Sequence, residues 1–252
     1  MSEIRRPTPS DQLDGPTASR DASSWAQKVD RLELPSRPGV RGLNVAGRRL
    51  TGPIQGFGRM WQKTYRVRIS AAVSPASAVA TWKANFPEFW PKGNRFAGAL
   101  SGISPGDVAM LDLAIGGGVK LSTGVFVLYA DDVSFTLMTP QGHMFAGWIS
   151  FSAEAMEGAT VLQVQVLMRA NDPLYELGMT FGGHAKEDRF WSETLTSLAA
   201  RLGTEDPAVE VQSLCVDRRR QWRRAGNVWH NSMVRSLAHT ALGPLRHRPQ
   251  GG

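Results

Sequence analysis

The sequence contains a single cysteine, Cys215, so neither an intrachain disulfide nor a multi-cysteine metal site can form. Cys215 lies in the β-like stretch VEVQSLCV with no histidine close in sequence. A buried structural thiol therefore outweighs a lone nucleophile there. No apolar run approaches the about 18 residues that a membrane-crossing helix needs. The opening MSEIRRPTPSDQLDG also lacks the apolar stretch of a secretory signal, so a cytoplasmic protein is expected. No H-x-x-x-H or H-x-x-E-H spacing occurs, and Asp131-Asp132 reads as a solvated turn, so no metal site is expected. GGGVK lacks the Walker spacing, GFGRMW lacks the third glycine of a dinucleotide fingerprint, and no G-x-S-x-G elbow nominates a serine. No cofactor follows from these motifs.

Acidic residues are nearly missing from one part of the chain. Residues 211–252 carry eight arginines, one acid (Asp217) and no lysine, which accounts for the whole formal charge of +7. The first 210 residues are formally neutral, so attraction to any anionic partner belongs to the C-terminal part alone.

Residues 1–24 are rich in Pro, Ser, Asp and Gly with almost no large apolar side chains, and read as disordered. Residues 25–58 keep prolines and glycines but intersperse Trp25, Val29, Leu32 and Leu34, as expected of an arm laid over a domain surface. Regular structure is expected from Arg59. RMWQKTYRVRIS alternates Tyr65, Val67 and Ile69 against Arg66 and Arg68, a first strand. SPASAVATWKANF follows as a short helix with Ser74 as N-cap and Pro75 at its first position. RFAGALSGI, DVAMLDLAI, STGVFVLYA, VSFTLMT, HMFAGWISFSAEAM and TVLQVQVLMRA are six further strands separated by turn residues. A long helix runs from the cap Asp172 and Pro173 to Gly203, with Gly182 and Gly183 breaking it midway.

With this order of elements, and with TYRVRIS, SPASAVATWKANFPEFWP and EDRFWSETLTSLAARLG in view, residues 59–203 resemble the START-like superfamily, also called SRPBCC. The closing segment is similar to the terminal helices of bacterial members. The resemblance implies an α+β helix-grip fold: a curved antiparallel sheet wrapped around a long C-terminal helix, with an elongated cavity between them. The N-terminal arm and the basic C-terminal extension, residues 204–252, lie outside that pattern. Lipid carriers, hormone receptors and polyketide cyclases all belong to the superfamily, so fold alone leaves function open.

A ligand cavity needs apolar walls and a few polar groups. The wall candidates are Trp82, Phe86, Trp90, Phe96, Met110, Phe126, Tyr129, Met138, Trp148, Met168, Leu177, Phe181 and Trp191. For any single one of them, filling the core is the favoured reading. The polar candidates are Arg95, Asp112, His143, Arg169, Asp172, His184 and Glu187. His143 follows PQG and reads first as an exposed loop histidine. His184 stands beside the glycine break, where it could reach a pocket mouth. No convergent acid–base pair is nominated, which favours a non-enzymatic binder or carrier of an apolar or amphipathic small molecule such as a lipid, isoprenoid or polyketide-like compound. The rival readings are a cyclase or hydratase acting in the same cavity, and an interaction protein working through the basic extension.

That extension, DRRRQWRRAGNVWHNSMVRSLAHTAL, can be wound as one helix at about 100° per residue. Trp222, Ala225, Trp229, Met233 and Leu237 then share a face, with Arg220, Arg224, Asn231 and Arg235 opposite. Trp222, Arg223, Arg224, Trp229, Met233, Arg235 and Leu237 are the contact candidates, either for an anionic membrane surface or for docking on the domain itself or on another copy of it. Nucleic acid ranks behind both, because no recognition motif accompanies the charge.

Overall fold

The computed structural model describes residues 21–34, 42, 44–97, 102–116 and 119–237. The readings made on residues 1–20, 35–41, 43, 98–101, 117–118 and 238–252 lie outside that range.

The first long strand is β2 (Met60–Ser70), preceded by a two-residue strand β1 (Leu50–Thr51). Helix α1 (Pro75–Ala84) follows, capped by Ser74, whose side chain accepts from the Ser77 amide. Six strands come next: β3 (Arg95–Ala97), β4 (Val108–Gly116), β5 (Val119–Ala130), β6 (Ser134–Pro140), β7 (Phe145–Met156) and β8 (Ala159–Ala170). Asp172 caps the long helix by accepting from the amides of Leu174 and Tyr175. The helix begins as α2 (Pro173–Gly178), widens into a π turn at Met179–Gly183 and continues as α3 (His184–Arg201). The expected break falls at Phe181 and Gly182, the latter at φ +98°, a conformation that glycine adopts freely.

The β-like stretch VEVQSLCV forms a further strand, β9 (Val209–Asp217), which joins the sheet beside β2. The sheet order is β3-β4-β5-β6-β7-β8-β2-β9, with β1 on β6, and every pairing among these strands is antiparallel. Cys215, partly buried, lies in β9 opposite Trp61.

Helix α3 packs across β2, β8 and β9, and α1 across β7 and β8. Side chains alternate along each strand, so register decides which residues meet these helices. Tyr65, Val67 and Ile69 of β2, Phe151 and Ala153 of β7, and Leu162, Val164 and Val166 of β8 form the core on the helix-bearing face.

The opposite face of β4–β6 is covered by the N-terminal arm. Leu32 and Val45 bury themselves on Phe126, flanked by Met110 and Leu128. Trp25 sets its ring edge-on to Tyr129 at 4.8 Å, and the Ala26 amide donates to the Leu128 carbonyl at 2.9 Å. Close approach depends on Gly124, where a Cβ would come within 2.7 Å of Val45. Leu32→Ala is expected to cost about 2–3 kcal/mol, measured by urea unfolding, because it deletes the centre of this second small core.

The C-terminal extension departs from the expected single amphipathic helix. After β9, residues Trp222–His230 form successive 3-10 turns, Asn231 leaves helical space at φ −52°, ψ 121°, and a new helix starts at Ser232. The interruption is chemical. The Asn231 carboxamide accepts from the Met233 and Val234 amides, capping the new helix, and donates to Asp172 Oδ2 at 2.8 Å. The segment docks through its polar side: Asn227 donates to the carbonyls of Gln55 and Asn171, and the Gln221 amide to that of Phe57. Arg169, expected among the cavity groups, instead staples this region by bonding the Gly58 and Arg219 carbonyls and Asp217. Trp222, Arg223, Arg224, Trp229 and Leu237 are exposed, Trp229 at 81%. Among the described residues no helix is long and apolar enough to cross a membrane.

Candidate functional site

The fourteen wall and mouth candidates separate into three places. Trp82, Phe86, Trp90, Phe96, Met168, Trp191 and His184 gather on the helix-bearing side of the sheet. Met110, Phe126, Tyr129, Met138 and Trp148 lie on the opposite face, where alternation sends them toward the arm or the surface. Leu177 and Phe181 are exposed on the helix at its break, Phe181 at 79%. The last two groups are corrections to the expected wall: for strand residues parity overrides hydrophobicity, and for Phe181 the non-helical backbone turns the ring outward.

The aromatic side chains pack edge-on around Phe86, which touches Trp90, Phe96, Phe135 and Phe151 at centroid distances of 5.6, 4.9, 5.4 and 5.1 Å. Trp82 lies against Phe135 and Phe151 and is fully buried. For Trp82 and Phe86 the core-filling role holds. Trp90 and Trp191 carry the cluster across to α3.

His184, Glu187, Asp188 and Trp191 recur at helical spacing along one side of α3. Opposite them Lys63 projects from β2, only 1% exposed. Its ammonium lies 3.0 Å from Glu187 Oε2 and 2.7 Å from Asp188 Oδ1. Tyr65 donates its hydroxyl to Asp188 Oδ1 at 2.7 Å, and the His184 ring lies against Trp61 at 4.6 Å. Burial raises the Glu187 carboxyl to about 7, with Lys63 opposing the shift and Asp188 adding to it. Burial lowers His184 to about 4, assisted by the Lys63 charge. Burial, with the charges of Glu187 and Asp188, pushes the Tyr65 phenol well above its usual range.

Buried polar atoms on this side without a hydrogen-bond partner among the described residues include Trp82 Nε1, Trp90 Nε1, Thr123 Oγ1, His184 Nδ1 and Glu187 Oε1. Native interiors leave few such atoms, so each of them is a point at which a polar guest could be satisfied.

Lys63, Tyr65 and Asp188 were absent from the candidates. Lys63 shares the parity of Tyr65, Val67 and Ile69, and that parity alone would have placed it inward. The remaining polar candidates serve the framework. Arg95 is exposed on β3, Asp112 accepts from Ser122, and Asp172 caps the helix. His143, expected on an exposed loop, is buried, its Nδ1 accepts from the Phe145 amide, and burial lowers it to about 4.

No protein-family model and no curated protein matches this sequence. Among solved structures, the di-domain ARO/CYC StfQ from the steffimycin biosynthetic pathway is similar at 10% identity and a TM-score of 0.45, over 58% of this chain and 53% of that one. This chain thus spans about half the length of that protein. A START superfamily protein from Mycobacterium smegmatis is similar at 25% identity and a TM-score of 0.37, over 57% of this chain and 97% of that one. Ara h 8.0201 is similar at 15% identity and a TM-score of 0.39, over 56% and 97%. The single antiparallel sheet of this chain, the short helix after its first long strand and the long helix packed across β2, β8 and β9 give it a helix-grip fold.

Proposed function

We propose that this chain binds an apolar or amphipathic small molecule between the sheet and α3, at the end where Trp90, Trp191, His184 and Glu187 meet. One observation carries the reading: Glu187 Oε1, His184 Nδ1 and Trp90 Nε1 are buried without a hydrogen-bond partner among the described residues, beside an aromatic core and the Lys63 ion pairs. A guest with an apolar body and a hydroxyl or carbonyl group would satisfy them while burying its own surface. Lipids, isoprenoids and polyketide-like compounds have that chemistry. The broken helix at Phe181–Gly183, directly before His184, supplies a segment able to move as a guest enters.

The test is titration of the full chain with cis-parinaric acid, a fluorescent fatty acid, following energy transfer from tryptophan. Saturable 1:1 binding is expected, weakened about tenfold by Glu187→Leu, which removes a hydrogen-bonding group worth about 1.5 kcal/mol. Absence of saturable binding across fatty acids, isoprenols and aromatic polyketides would remove the reading.

A second reading has its own support. Lys63, Glu187, Asp188 and Tyr65 converge within hydrogen-bond reach, and Glu187 exchanges its proton near neutrality. That is the paired titratable chemistry that proton transfer to a bound compound requires. Cyclisation or hydration of a bound polyketide-like compound, with Glu187 as the proton-transfer group, would fit it.

A further inference from the structure

A second concentration of chemistry lies on the arm side of the molecule, independent of the interior site. A cleft of about 450 Å³ opens between the arm, the β6–β7 turn and the C-terminal segment, lined chiefly by Arg31, Arg48, Arg49, Gln141, His230 and Arg235. Four arginines and a histidine share it, and among the described residues no acidic side chain lines it.

Arg48 decides the reading. It is only 8% exposed, yet it forms no ion pair among the described residues. Its Nη1 donates to His230 Nδ1 at 3.3 Å, a contact that keeps that nitrogen unprotonated and supplies no negative charge. A guanidinium has five N–H donors, and burying one without an anion is costly, so buried arginines are normally paired. Burial and the neighbouring Arg235 hold Arg48 below its ordinary range, and burial with Arg48 and Arg235 does the same to His230. The cleft thus crowds positive charge around the buried Arg48.

It is also a built site. The Leu32 amide bonds the Arg48 carbonyl at 2.8 Å, Arg31 Nη1 bonds the Gly47 carbonyl at 2.8 Å, and the Gln141 amide bonds the Arg49 carbonyl at 2.8 Å. From the other wall, the Ser232 amide bonds the Gly142 carbonyl, and Asn44 Nδ2 reaches the Ser232 carbonyl and Ser236 Oγ. Gly142, at φ +92°, lets His230 approach: a Cβ there would lie 2.0 Å from the His230 carbonyl oxygen. Three segments distant in sequence are thereby fixed around one space.

We propose that this cleft binds a phosphate monoester, with Arg48 at its base and Arg31, Arg49 and Arg235 around it. Guanidinium forks match phosphate oxygens two at a time, and a dianion answers several arginines where a singly charged diester would not. The volume falls within the about 300–1,000 Å³ of small-molecule sites, so the phosphate carries an organic body. That body is either soluble or the apolar part of a lipid whose headgroup enters the cleft, beside the exposed Trp229.

Isothermal titration of the full chain with pyrophosphate, at constant ionic strength set by chloride, tests this directly. The expected result is 1:1 binding with a raised thermal midpoint. Arg49→Glu, on the exposed rim, should weaken it on the order of thirtyfold while leaving the unfolding midpoint without ligand unchanged. Arg48→Gln should abolish binding where circular dichroism shows it folded, and Arg49→Glu decides the matter where it does not. Sedimentation with phosphatidylcholine vesicles, with and without phosphatidic acid, separates the two sources. Capture that requires phosphatidic acid, is competed by pyrophosphate and is lost in Arg49→Glu assigns the site to a lipid headgroup. Pyrophosphate binding without capture assigns it to a soluble phosphomonoester. The proposal is overturned if wild-type protein shows neither heat nor midpoint shift with pyrophosphate, if Arg49→Glu binds as wild type does, or if capture depends on Trp222 and Trp229 and not on Arg49.

Discussion

Replacing Trp82 by alanine is expected to lower the free energy of unfolding by about 3–5 kcal/mol, the range for emptying a large aromatic site in a close-packed core. Trp82 is fully buried, lies edge-on to Phe135 and Phe151, and with Ala78 and Val79 seats α1 on the strands beneath it. A cavity there cannot collapse easily, because the surrounding rings are held by Phe86 and by the stacked pair Phe135 and Phe151 at 4.6 Å. Trp82→Phe should lose about 1–2 kcal/mol, since it keeps most ring contacts and removes an N–H that has no partner among the described residues. Urea unfolding followed by circular dichroism measures both. A loss below about 1 kcal/mol for the alanine variant would mean that α1 is not seated on its strands as described.

The second large effect is a pH dependence set by Glu187. Burial raises its carboxyl to about 7 in the folded protein, against an ordinary value of 4.5. Between those values the folded state holds a proton that the unfolded state has released, so stability falls as pH rises through this window. Below it the group has no effect, and above about 7 the full penalty, about 3 kcal/mol, is in place. His184 and His143, each lowered to about 4, act in the opposite sense: they reduce stability as pH falls below about 6.5. Comparing wild type with Glu187→Gln isolates the carboxyl. The variant's stability relative to wild type should rise by about 3 kcal/mol between pH 4.5 and pH 8. Equal profiles would show that Glu187 ionises at an ordinary pH. The same titration bears on the catalytic reading, because proton transfer by Glu187 would follow this transition.

Much of the framework was legible because turn residues and periodicity agree. The strands β4–β8, the Ser74 and Asp172 caps and the glycine break all fall where local chemistry demands them. What escaped was long-range. Met110, Phe126, Met138 and Trp148 were bulky, and bulk alone put them in the expected cavity. Their parity relative to Leu111, Val127, Leu137 and Ile149 sends them to the other face, which becomes intelligible once the arm is known to cover part of it. Strands apolar on both parities are the sign of a sheet covered on both faces. Lys63 escaped for the converse reason: a charge was assumed to face water, and the two carboxylates that hold it lie about 125 residues later in the chain. In the extension, 100° periodicity was satisfied on paper, but Asn231 has a better use as a cap satisfied by Asp172, and the helix breaks there.

The location of a guest is read most directly from the tryptophan indole N–H resonances in a ¹H–¹⁵N NMR titration of the full chain with a C18 fatty acid or an aromatic polyketide. Trp90 lies in the proposed interior site and Trp82 adjoins it, each with a buried N–H that has no partner among the described residues, whereas Trp222 and Trp229 are exposed on the C-terminal segment. The account predicts saturable shifts of the Trp90 and Trp82 indole signals at one equivalent, with Trp229 unmoved. Shifts confined to Trp222 and Trp229, with the Trp82 and Trp90 signals constant at saturation, would contradict it.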